Sequence, residues 1–110
     1  MTPRAFAQAA VPLVMRQLDT VRCSVIYNPT FRPAKVGVSV SDSLGRYDMS
    51  GPSYDYLFAV GPDGRIEVTM EPRARVPETS AESIGAGRGL RDVVRLIVND
   101  FASRMMNNGF

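Results

Sequence analysis

The sequence contains no histidine, and it has one cysteine and one lysine among 110 residues. Without histidine, neither a Ser-His nor a Cys-His nucleophile pair can form, and a common ligand of zinc is missing. The single cysteine, Cys23, excludes an internal disulfide and is typical of a small apolar residue in a strand. We therefore expect no catalytic residues, no metal site and no cofactor, and we expect the protein to work in the reducing cytoplasm.

Long apolar runs are also missing. No stretch approaches 18 consecutive apolar residues, so the sequence predicts no transmembrane helix and no membrane partner. The first 18 residues carry Arg4 and Arg16 but no acidic residue, a pattern that loosely resembles an organellar presequence or a weak secretory signal. Their apolar run is short and contains Pro12, which favours an ordinary amphipathic helix.

The composition that remains is typical of one folded domain. Hydrophobic residues make up 45% of the chain and charged residues 22%, which is close to the average for folded domains. A chain of this length can bury a core without disulfides or metal ions. The net charge of +2 is too small to indicate a nucleic acid or a membrane partner by itself. We expect a single domain over residues 1–110.

Two segments show the apolar spacing of amphipathic helices. The first begins near Pro3 and continues to Leu18, and Pro12 predicts either a kink or a split into two short helices. In the second, residues 90–105, apolar side chains fall at i, i+3, i+4 and i+7, which predicts a helix lying on a sheet.

Four segments between these helices alternate with a period of two, which predicts strands. These segments are residues 21–27, 36–41, 54–60 and 66–71. Between the third and the fourth, Gly61-Pro62-Asp63-Gly64 predicts a tight hairpin, because proline presets the second turn position and Gly64 tolerates a positive φ.

The predicted order is α-β-β-β-β-α. Short connections favour a four-stranded antiparallel meander, and the apolar stripes of the helices match the apolar side of the sheet. The predicted fold is therefore an α+β two-layer sandwich with both helices packed on one face. Residues 72–89 are expected to form a flexible linker, in which Thr79 and Glu82 stand in capping-box spacing and predict one helical turn ending at Gly85.

The first strand and the sheet face opposite the helices are the leading candidates for a binding surface. In a meander the first strand lies at an edge, and here it contains no proline and a single charged residue, so it is weakly protected against pairing with another strand. The opposite face carries small residues and two aliphatic side chains that we expect to be uncovered. The candidate interface residues are Arg22, Ser24, Ile26, Lys35, Ser39 and Leu57.

These features favour a small non-catalytic protein-interaction module, such as an assembly subunit or a proteinaceous inhibitor. Its expected partner is another protein or a second copy of the chain, as in a homodimer.

Arginine supports an alternative hypothesis, a nucleic-acid or phosphate-binding protein. The chain has twelve arginines against one lysine, although a GC-rich coding sequence would produce the same bias. A glycine-rich segment precedes the last helix, where backbone amides can bind an anion, but its spacing matches neither the dinucleotide fingerprint nor the P-loop. The candidate anion-binding residues are Arg73, Arg75, Gly87, Arg88, Arg91 and Arg95.

A third hypothesis is a histidine-free enzyme that uses the acidic residues flanking one loop, Asp42, Asp48 and Asp55. Acidic residues at a hairpin loop usually only solvate it. The sequence therefore disfavours this hypothesis.

Overall fold

The computed structural model describes residues 3–18, 23–28, 36–42, 53–74 and 80–107. These ranges hold two helices and an antiparallel sheet, and the α+β fold predicted from the sequence is confirmed. The elements, in chain order, are α1 (Pro3–Gln17), β1 (Cys23–Asn28), β2 (Val36–Asp42), β3 (Ser53–Val60), β4 (Ile66–Ala74), β5 (Glu82–Gly87) and α2 (Leu90–Asn107).

The strands lie in the order in which they follow along the chain, from β1 to β5. Each strand pairs antiparallel with the next, as the predicted meander requires. Within the described ranges β1 therefore ends the sheet on one side, which confirms its predicted place at an edge. The other edge is β5 rather than the predicted fourth strand.

One face of the sheet forms the core together with both helices. Its buried side chains alternate along the middle strands, and they are Val38 and Val40 on β2, Tyr54, Tyr56 and Phe58 on β3, and Val68 and Met70 on β4. Helix α1 packs against β1 and β2, α2 packs against β5 and β4, and the two helices contact each other. The apolar stripe of α2 is buried as predicted, including Ile97, Phe101 and Met105.

Helix α1 runs from Pro3 to Gln17 as one element, so of the two predicted alternatives at Pro12, a kink or a split into two short helices, the split is wrong. Pro12 lies on the exposed side of the helix. The opposite side carries Ala10 and Val14, both fully buried, and this continuous apolar contact with the core holds the two halves together.

The predicted linker over residues 72–89 contains regular structure. Strand β4 continues to Ala74, and β5 replaces the helical turn that was predicted to end at Gly85. Pairing with β5 satisfies backbone groups of β4 that would otherwise be left at an open edge. Gly85 has a φ of +135°, and a Cβ atom there would lie 3.0 Å from Leu96 Cδ2, so glycine lets α2 approach the strand.

The hairpin between β3 and β4 forms as predicted. Gly64 has a φ of +80°, and the Gly61 amide donates to the Arg65 carbonyl at 2.7 Å. Both helices begin at this end of the sheet. The Phe6 ring of α1 packs edge-to-face on Phe58 at 5.6 Å, and α2 starts shortly after β5 ends.

Candidate functional site

The outer edge of β1 is the first candidate surface. Ser24 pairs with Ser41 and Ile26 with Ser39 in the β1–β2 ladder, so both predicted interface residues of β1 belong to the edge strand. The predicted interface residues Arg22 and Lys35 lie outside the described residues.

Three serines on the sheet face opposite the helices are buried, so this face is less open at these positions than predicted. Ser39 is 0% exposed, and Ser41 and Ser53 are also buried. Leu57, predicted as an uncovered aliphatic residue, is half-buried. A period of two assigns residues to a face but carries no information on how deeply that face is covered. Ser39 is therefore not available for contact with a partner.

The polar groups on this opposite face bond to one another. The Ser39 hydroxyl donates to the Asp55 carboxylate, and the hydroxyl oxygens of Ser41 and Ser53 lie 2.9 Å apart. Arg73 Nη1 is 3.8 Å from Asp55 Oδ1. Buried polar atoms need such partners, and the arrangement has no accessible nucleophile because the Ser39 hydroxyl is fully buried. Of the other two candidate acidic residues, Asp42 ends β2, and Asp48 lies outside the described residues.

The start of α2 was the predicted anion site. Here the Arg88 amide donates to Asp92 Oδ2 at 3.3 Å, so a carboxylate of the chain already occupies the positive end of the helix. A Cβ atom on Gly87 would lie 2.6 Å from the Asp92 Cβ atom. Glycine at this position thus allows the end of β5 to approach the first turn of α2, a packing role that needs no bound phosphate.

The six predicted anion-binding residues do not form one site. Arg73 contacts Asp55 on the face opposite the helices, and Arg75 lies outside the described residues. Arg88, Arg91 and Arg95 are all exposed beside or on α2. Within the described part of the chain, no carboxylate lies within salt-bridge distance of these three arginines.

A partly buried polar network connects α2 to the middle of the sheet, and sequence reasoning missed it. Tyr56 Oη donates to Asp100 Oδ2 at 2.8 Å, and Arg104 Nε donates to the same oxygen at 2.8 Å. Arg104 also forms an ion pair with Glu82 of β5. Its guanidinium carbon lies 5.5 Å from the centre of the Tyr54 ring. The spacing of Asp100 and Arg104, four residues apart on one helix, is the signal that could have indicated part of it.

The charges of this network shift two pKa values. Burial, the negative charge of Asp100 and the hydrogen bond to it raise the pKa of the Tyr56 hydroxyl well above its ordinary value. Burial alone would lower the pKa of the Arg104 guanidinium, but hydrogen bonds to Asp100 and Glu82 and their charges raise it. Tyr56 therefore stays a neutral donor and Arg104 a cation, so the network serves to fix α2 on the sheet.

The described ranges contain neither a metal-binding cluster nor a membrane-spanning helix. No group of three acidic or cysteine side chains in them is arranged to hold a metal ion. No helix in them is long and apolar enough to cross a lipid bilayer. Comparison of the chain with protein-family models, with curated proteins and with solved structures found no match.

Proposed function

We propose that this protein is a small non-catalytic interaction module, such as an assembly subunit or a proteinaceous inhibitor, that binds an extended segment of another polypeptide along β1. The observation that carries the proposal is the position of β1, which pairs with β2 and ends the sheet in the described ranges. An edge strand presents N–H and C=O groups that a strand from a second molecule can use.

The composition of β1 supports this role. Cys23–Asn28 contains no charged residue and no proline, the two commonest devices by which proteins protect a sheet edge. A second copy of β1 could pair with it without like-charge repulsion, so a homodimer is the first partner to test. The other edge is better protected, because β5 is irregular at its pairing with Thr69 and its Glu82 is held by Arg104 of α2.

Two features support a non-catalytic role. The sequence has no histidine to act as a general base, and the hydroxyl–carboxylate pair of Ser39 and Asp55 is buried at the serine. The single cysteine is consistent with work in the cytoplasm, which we include in the proposal.

The experiment that tests the proposal is site-specific photo-crosslinking in the cells that produce the protein. A photoreactive residue replaces Ser24 on β1, and in a matched control it replaces Ser83, an exposed serine on β5. We expect a defined adduct, with a second copy or with another protein, from position 24 and none from position 83. Equal labelling at both positions, or none at position 24, would refute binding at this edge.

Two proline variants then test strand pairing directly. Neighbouring residues of an antiparallel edge strand alternate between amides that bond to the next strand and amides that point outward. One of Ser24→Pro and Val25→Pro therefore breaks the β1–β2 ladder, whereas the other blocks the outer edge. Measured unfolding free energies identify the variant that keeps its stability. That variant should lose the partner, and partner binding that persists in it would contradict strand addition.

A further inference from the structure

The outward side of α2 carries a row of polar residues that is distinct from the edge of β1. Its exposed positions from Leu90 onward hold no apolar side chain in the described ranges, and they are Arg91, Asp92, Arg95, Asn99 and Ser103. Arg88, two residues before the helix begins, is also exposed. Since residues four apart share one side of a helix, Arg91, Arg95, Asn99 and Ser103 form a single line, with successive Cα atoms about 6 Å apart.

The arginines of this row are available for a ligand. Arg73 and Arg104 lie near carboxylates, whereas no carboxylate within the described ranges pairs with Arg88, Arg91 or Arg95. Asp92 is an exposed acidic residue beside this row, and its carboxylate accepts the Arg88 amide. Asp100, on the adjacent half-buried side, is held by Tyr56 and Arg104. The row therefore presents three positive charges against one negative charge that is already engaged.

We propose that the row formed by Arg88, Arg91, Arg95, Asn99 and Ser103 binds the phosphodiester backbone of a nucleic acid without reading its sequence. Arginine, asparagine and serine side chains all donate hydrogen bonds to phosphate oxygens. A protein partner would need a buried aromatic or aliphatic anchor at the centre of its contact, and between residues 90 and 105, where the exposure of α2 is described, no exposed position supplies one. The chemistry of the row thus favours a nucleic acid over an acidic protein.

The test measures the affinity of the full chain for fluorescent 20-nucleotide single-stranded DNA, duplex DNA and RNA between 50 and 200 mM salt. Three phosphate contacts predict a slope of log K against log salt of about −2.7 for duplex DNA and about −2.1 for a single strand, which are losses of about 40-fold and about 20-fold over that range. The double variant R91Q/R95Q removes two of the three charges. Its slope on duplex DNA should fall to about −0.9, and because the salt dependences of the two proteins meet near 1 M, its affinity at 50 mM salt should drop about 200-fold.

A matched single substitution distinguishes binding at this row from attraction by the overall positive charge of the protein. Arg16 is exposed in the last turn of α1, with no carboxylate of the described ranges in salt-bridge distance, so R16Q changes the net charge as much as R95Q does. We expect R95Q to weaken binding and R16Q to leave it unchanged, with circular dichroism confirming that both variants fold.

The inference would be overturned if none of the three nucleic acids bound at 50 mM salt. It would also be overturned by equal losses of affinity from R16Q and R95Q, or by polyglutamate binding that is tighter than nucleic-acid binding and is weakened by R95Q. Competition by inorganic phosphate at low millimolar concentration would equally contradict it, because a backbone contact spread over several phosphates is not displaced by one free anion.

Discussion

The hydroxyl oxygen of Tyr56 lies 2.8 Å from a carboxylate oxygen of Asp100, although 44 residues separate them along the chain. The phenol is fully buried in the middle of β3, where an unbonded hydroxyl would be costly. Asp100 also accepts from Arg104, so the bond joins the centre of the sheet to a charged group on α2. Hydrogen bonds to charged groups are among the stronger ones in proteins.

We expect Tyr56→Phe to lower the free energy of unfolding by about 1–3 kcal/mol, because the ring still fills its space while the bond to a carboxylate is lost. Urea denaturation followed by circular dichroism measures the change. The matched control is Arg65→Gln, a substitution at an exposed position of the hairpin, which should stay within about 0.5 kcal/mol of the wild type. A Tyr56→Phe variant as stable as the wild type would contradict a stabilising role for this bond.

The same hydroxyl predicts how stability changes at alkaline pH. Burial and Asp100 raise the pKa of Tyr56 in the folded chain, whereas the same group in the unfolded chain ionises near its ordinary value of about 10. The contribution of Tyr56 to the free energy of unfolding is therefore fully present below about pH 10. It is lost as the pH rises above that value, by up to about 1.4 kcal/mol per pH unit. Denaturation midpoints between pH 8 and 11.5 should fall more steeply for the wild type than for Tyr56→Phe. Parallel curves would show that Tyr56 ionises alike in both states.

The elements that the sequence predicts well are those whose signal is local. Gly61-Pro62-Asp63-Gly64 fixes a turn within four residues, and the stripe of α2 repeats over the whole helix. Strand β5 was missed because two of its six residues are glycine and it has no clean alternation. It forms because β4 offers it a partner, which is a tertiary effect.

The predicted fourth strand ended before Pro72, because proline normally ends a central strand. In the structure Pro72 pairs with Tyr54 of β3 but lies beyond Met70, the last residue of β4 that pairs with β5. Its missing amide therefore costs no ladder bond on that side.

The candidate sites were less predictable than the fold. The Tyr56–Asp100 bond joins elements that are distant in sequence, so no spacing rule reveals it. The burial of Ser39 could not be predicted from the alternation of its strand, which gives only the face on which the residue lies. Arg91 and Arg95 could be grouped in advance because they lie four residues apart on one helix.

The close approach of Gly87 to Asp92 predicts that alanine substitutions at Gly87 and Gly89 change the stability of the protein by different amounts. A Cβ atom on Gly87 would lie 2.6 Å from the Asp92 Cβ atom and 3.3 Å from the Val93 amide nitrogen, whereas one on Gly89 would meet nothing within 4 Å. We expect Gly87→Ala to destabilise the protein by about 1–3 kcal/mol through overpacking and Gly89→Ala to have a smaller effect. Thermal denaturation measures both. Equal changes in the two variants would argue against a packing role for Gly87.

The buried hydroxyl pair of Ser41 and Ser53 predicts a non-additive double-mutant cycle. Either serine replaced by alanine leaves the other hydroxyl with one partner fewer in a buried site, at a cost of about 1–2 kcal/mol. Replacement of both serines leaves no buried hydroxyl without this partner. The double variant should therefore lose less stability than the sum of the losses in the two single variants. Urea denaturation of the four proteins gives the coupling free energy. Strictly additive losses would show that the two hydroxyls do not depend on each other.

Pro12 predicts a substitution that stabilises the protein. It lies inside α1 on the exposed side, where it can donate no hydrogen bond to the Gln8 carbonyl four residues earlier and its ring crowds the preceding turn. Proline costs about 3 kcal/mol relative to alanine in a helix interior, and the neighbouring Ala10 and Val14 already hold this helix on the core.

We therefore expect Pro12→Ala to raise the free energy of unfolding by about 2–3 kcal/mol and the melting temperature by roughly 8 °C or more. Gln8→Ala, at an exposed position one turn earlier, controls for the gain in helix propensity and should change stability by a few tenths of a kcal/mol. A Pro12→Ala variant that melts below the wild type would contradict this expectation. It would mean that Pro12 raises the free energy of unfolding. Because the side chain is exposed, the main cause would be that proline restricts the conformations of the unfolded chain.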